Sequence, residues 1–67
     1  MSYKEIRSII EKERRLAGMS KSELARKAGL SRVAVFNYLE GKSEVKGDNL
    51  ESLLKVFGYT LKAVKRK

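Results

Sequence analysis

Ser20-Lys21-Ser22-Glu23-Leu24-Ala25-Arg26-Lys27-Ala28-Gly29-Leu30-Ser31-Arg32-Val33-Ala34-Val35 is the stretch that decides the fold. It opens on a capping box: the Ser20 hydroxyl is placed to accept from an amide near Glu23, and the Glu23 carboxylate to reach back. Leu24 and Ala28 stand one helical turn apart and face a core, while Ala25 is small where a second helix must cross closely. Gly29 stops this helix, since the residue just past a helix C-terminus takes left-handed angles that glycine adopts without penalty. Leu30 turns inward and Ser31 caps the next helix. Val35 anchors that helix so that its outer face points away from the body. A generic helical hairpin also uses glycine and small residues, but it does not need this whole set of spacings beside a basic, polar face.

Working outward, the second of these helices is expected from Arg32 to Glu40, with Val35, Tyr38 and Leu39 at core spacing and Gly41 as its stop. Before them, Ile6, Ile9, Ile10, Glu13 and Leu16 recur at intervals of three and four and predict an amphipathic helix from Tyr3 to Ala17 with one polar interruption. Its charges, Lys4 to Arg15, read mainly as a solvated face. After a polar loop from Lys42 to Gly47, Asp48 or Asn49 is expected to cap a fourth helix carrying Leu50, Leu53, Leu54 and Phe57, ended by Gly58. From Tyr59 to Val64 the pattern changes to a period of two, which favours a strand over a short fifth helix. A lone strand needs a partner for its backbone groups, and the same strand of a second copy would supply one. Residues 1–58 are therefore expected to form one all-α domain of four or five helices, and residues 59–67 a dimerising strand with a basic tail.

Composition narrows the function. The 67 residues contain no cysteine and no histidine. Disulfides, thiolate chemistry, histidine-based nucleophile pairs and the usual zinc ligands are all absent, so no catalytic residue, metal site or cofactor is expected. A chain this short buries only about 60% of the surface it exposes when unfolded, which gives a second subunit a stabilising role. The longest apolar run, Val33 to Phe36, is far short of a membrane span, and Met1 to Glu5 lack a signal-peptide core. A soluble, cytoplasmic protein is expected. Sixteen Lys and Arg against eight Asp and Glu leave a net charge of +8, which calls for a polyanionic partner. Duplex DNA leads. RNA is weaker because no aromatic stacking platform lies among the basic residues.

The pattern S-x-x-E-L-A-x-x-x-G-L-S-x-x-x-V, carried from Ser20 through Val35 and on to Gly41-Lys42, resembles the helix-turn-helix family of lambda repressor, Cro and related phage and bacterial regulators. The resemblance implies a palindrome-binding homodimeric regulator whose third helix enters the major groove. It places base contacts at Arg32, Val33, Phe36 and Asn37. Arginine pairs bidentately with guanine, asparagine with adenine, and apolar side chains meet thymine methyl groups. For Phe36 packing against a neighbour is an equal alternative, and for Arg32 a phosphate contact is the rival. The resemblance puts phosphate contacts at Lys21 and Ser22, at Ser31, and at Lys42, Ser43 and Lys46 beyond Gly41. Two departures stand out. Many relatives carry an acid where Leu39 stands, paired with an arginine corresponding to Arg14; here Arg14 is left as a phosphate contact or a surface charge. Glu40 also stands where an amide is common. Gly58-Tyr59-Thr60-Leu61-Lys62 looks like the ending of antitoxins that use this fold, which implies a dimer interface at Tyr59, Leu61 and Ala63 and an alternative role with a toxin as partner.

Overall fold

The computed structural model describes residues 3–60, with side chains from residue 4 onward. Its four helices are α1 (Tyr3–Leu16), α2 (Lys21–Ala28), α3 (Arg32–Leu39) and α4 (Gly47–Val56), and no strand occurs among the described residues. The fold is all-α. Of the expected strand from Tyr59 to Val64, residues 59 and 60 have no regular structure, and residues 61–64, with Leu61 and Ala63, lie outside the described residues.

The helices start and stop for local reasons. The Ser20 hydroxyl accepts from the Glu23 amide at 3.0 Å, and the Ser31 hydroxyl from the Ala34 amide at 3.1 Å. The reciprocal half of the expected capping box does not form; the Glu23 carboxylate instead lies 3.8 Å from Lys27, one turn on. All four helices close in one way. The amides of Met19, Leu30, Lys42 and Tyr59 donate to the carbonyls of Arg14, Ala25, Asn37 and Leu54, with the preceding glycine amide bonded three residues back. This is the Schellman stop. At Gly29, φ is +73°, an angle at which a Cβ would strain the backbone.

Ile6 and Ile10 of α1, Leu24 and Ala25 of α2, Val35 and Tyr38 of α3 and Leu50, Leu53 and Leu54 of α4 form one buried cluster. Burial of each large side chain contributes about 1.5–3 kcal/mol before conformational entropy is counted. Met19, Ala28, Leu30, Leu39, Val56 and Phe57 pack around it. Three expectations are corrected. Leu16 does not complete the α1 stripe and is 73% exposed. At 100° per residue it stands about 80° from the line through Ile6, whereas Glu13 lies about 20° from it. Val45, within the supposedly polar loop, is buried. Neither Asp48 nor Asn49 caps α4: Gly47, at φ +60°, turns the chain into the helix earlier, so both fall inside the first turn.

Arg14 is more than a plain surface charge, because its guanidinium is held within the fold. Its guanidinium grips Glu11 through two hydrogen bonds, of 2.7 and 3.0 Å, and donates to the Met19 carbonyl at 2.8 Å. It therefore ties α1 to the segment that leads into α2. The hydrogen bonding of Arg14 to Glu11, with help from the charges of Arg14, Arg15 and Lys21, holds the Glu11 carboxyl below its ordinary range against the opposing effect of burial. The acid missing at position 39 is thus supplied from within α1. Further along, the Tyr59 hydroxyl donates to Glu13 at 2.7 Å, which accounts for the polar interruption in the α1 stripe.

Candidate nucleic-acid interface

The α2–α3 turn leaves no slack. Gly29 ends one helix, Leu30 packs on the core, and Ser31 begins the next. With Val35 and Tyr38 fully buried, the helical repeat turns Arg32, Val33, Phe36 and Asn37 to the other side of α3. These four residues line one shallow groove together with Glu40. Val33 is 71% exposed. Phe36 and Asn37 are half-buried.

The cations around this groove come from two elements. Lys21 is the first residue of α2; its ammonium stands 5.8 Å from the centre of the Phe36 ring and 4.0 Å from Glu40 Oε2. Phe36 therefore packs against a neighbour through a cation–π contact, while its edge still lines the groove. Lys42, just beyond Gly41, reaches Glu40 Oε1 at 3.1 Å. Ser22 is half-buried in the first turn of α2, and Ser43 and Lys46 are exposed on the loop before α4. The Ser31 oxygen is occupied as a cap, but its hydroxyl proton remains available to donate. Tyr59 is 40% exposed and engaged with Glu13.

Other groups brace this arrangement. Arg7 stacks over the Tyr38 ring at 6.0 Å and lies 3.6 Å from Glu44, tying α1 to the loop that carries Lys42 and Ser43. Gly41 lies beneath the same guanidinium: a Cβ there would come within 3.9 Å of it. Tyr38 is buried with its hydroxyl unpaired among the described residues. Burial pushes its pKa up to about 12, with Arg7 opposing the rise and Glu44 adding to it. Glu40, which stands where an amide is common, joins two lysines because the packing of α2 on α3 brings positions 21 and 42 together, a contact that the local sequence does not signal.

A helix-turn-helix family model matches residues 10–64, which is most of the chain. The chain is a helix-turn-helix protein of the lambda repressor and Cro kind. Helix-turn-helix proteins of this kind are DNA-binding regulators. No curated protein and no solved structure matches the helix-turn-helix chain significantly. Among the described residues no group of acids stands close enough to hold a metal ion, and no helix is long and apolar enough to cross a membrane.

Proposed function

We propose that the protein is a sequence-specific regulator that binds a palindromic operator as a homodimer, with α3 in the major groove of each half-site. The observation that carries this reading is the single groove shared by Arg32, Val33, Phe36 and Asn37, flanked by Lys21 and Lys42. Arg32 and Asn37 are the hydrogen-bonding readers, for guanine and adenine, and Val33 and the Phe36 edge meet thymine methyls. Lys21, Ser22, Ser31, Lys42, Ser43 and Lys46 hold the backbone and fix register without reading sequence. Two copies related by a two-fold axis, with Tyr59, Leu61 and Ala63 between them, would read a palindrome, and the spacing expected of such dimers is about one helical turn between half-sites. The toxin-partner alternative rests on Gly58 to Lys62, whose last two residues lie outside the described ones, and the regulator is the reading we adopt.

Selection of bound duplexes from a random pool tests this directly. Recovery of a palindrome is the expected outcome. On that sequence Arg32→Ala and Asn37→Ala should each weaken binding by about 1–3 kcal/mol, while most of the affinity for unrelated duplexes is kept, with the lost Arg32 charge accounting for a smaller drop there. Wild-type operator affinity in both variants would remove the assignment of the reading face.

A further inference from the structure

Glu40 lines the groove of the four proposed readers and is its only acid among the described residues. Its two oxygens are both engaged, Oε2 by Lys21 from the start of α2 and Oε1 by Lys42 from the loop after α3. These lysines are the leading cations assigned to phosphate on either side of α3. The Glu40 and Lys42 side chains are 42% and 70% exposed, and ion pairs that open to water add little to stability. A fold-stabilising purpose does not explain the arrangement. Its consequence for a polyanion is larger. A phosphate that meets either ammonium comes within roughly 5–7 Å of the carboxylate, inside the Debye length at physiological salt.

We infer that Glu40 is a built-in competitor for phosphate, which weakens the sequence-blind part of DNA affinity by occupying Lys21 and Lys42. This rests on the DNA-binding reading above. When duplex approaches, each lysine must loosen its hold on Glu40 or share its donors between carboxylate and phosphate, and the carboxylate repels the incoming backbone throughout. Lys21 has a second reason to stay in place, since it also lies over Phe36 and helps to lower the pKa of Glu11. The competition is therefore sharpest at Lys42, whose ammonium pairs with Glu40 alone among the described residues.

The test is fluorescence-anisotropy titration of a labelled duplex of arbitrary sequence over a range of salt concentrations. It compares wild type, Glu40→Gln and Glu51→Gln. The last makes the same one-charge change on α4, away from the groove. Glu40→Gln should bind about three- to tenfold more tightly at low salt. Its plot of log affinity against log salt should steepen by up to about 0.9, one phosphate's worth. Glu51→Gln should do neither, and thermal melting should differ little among the three. Unchanged or weaker binding by Glu40→Gln, or an equal gain in Glu51→Gln, would overturn the inference. Wild type that fails to bind any duplex would instead overturn the DNA-binding reading beneath it.

Discussion

Replacing Arg14 with methionine keeps a long apolar stem and deletes the guanidinium, which isolates what the clamp between α1 and α2 contributes. Three hydrogen bonds disappear, two to Glu11 and one to the Met19 carbonyl. Arg14 and Glu11 are only 14% and 22% exposed, so water replaces those bonds incompletely. Hydrogen bonds to charged groups are worth about 1.5–3 kcal/mol each, but two of these share one carboxylate and the site is partly screened. A net loss of about 2–3 kcal/mol follows. In a domain of this size each kcal/mol moves the melting midpoint by about 4–8 °C, so Arg14→Met should melt about 10–20 °C lower by circular dichroism. A shift under about 3 °C would refute the clamp as a structural element. The pH dependence gives a second check. Because the folded-state pKa of Glu11 is depressed, its contribution is present above the ordinary carboxylate range and is lost as pH falls through the folded value. Arg14→Met should flatten that acid limb. An unchanged acid slope would show that Arg14 is not the cause of the shift.

Two further predictions concern the core and the caps. Tyr38→Phe deletes a buried, unpaired hydroxyl and should raise stability by about 1 kcal/mol in urea titration. It should also remove part of an alkaline weakening: the unfolded tyrosine ionises from near pH 10 while the buried one keeps its proton until about 12, so wild type loses stability across that window. A destabilised Phe variant would mean that the hydroxyl has a partner. Ser20→Ala removes the acceptor for the Glu23 amide and should cost about 1 kcal/mol, read as a lower melting midpoint, whereas a neutral outcome would show that water caps α2 equally well.

What was legible in the sequence is whatever is settled within about six residues along the chain. Gly18, Gly29, Gly41 and Gly58 mark the four stops, Ser20 and Ser31 mark two starts, and the periodicity places Ile6, Ile10, Leu24, Val35, Tyr38, Leu50, Leu53 and Leu54 in the core. The proposed reading face came instead from the resemblance to lambda repressor and Cro; the repeat adds only that those positions lie away from Val35 and Tyr38. What escaped depended on packing between distant residues. Val45 is a single apolar residue among polar neighbours, with no period to betray it, and only the closure of the loop buries it. Glu13 looked like a flaw in a stripe because its partner, Tyr59, is 46 residues away. Arg14 misled for a different reason: family resemblance directed attention to position 39, while the acid it needed was three residues earlier on its own helix.

The turn between α2 and α3 has a consequence for how such a domain acquires new targets. Its mount is made of Leu24, Ala25, Gly29, Leu30, Ser31, Val35 and Tyr38, none of which is among the proposed readers. Arg32 and Val33 are exposed, so their replacement disturbs no interior packing, and Asn37 presents a polar edge beside them. The domain therefore behaves as a socket with exchangeable contacts. If α3 reads DNA as proposed, a new operator preference can be grafted onto positions 32, 33 and 37 while the socket stays fixed. Phe36 is the exception, since Lys21 leans on its ring: a graft there also disturbs Lys21, and so a proposed backbone contact along with a proposed base contact.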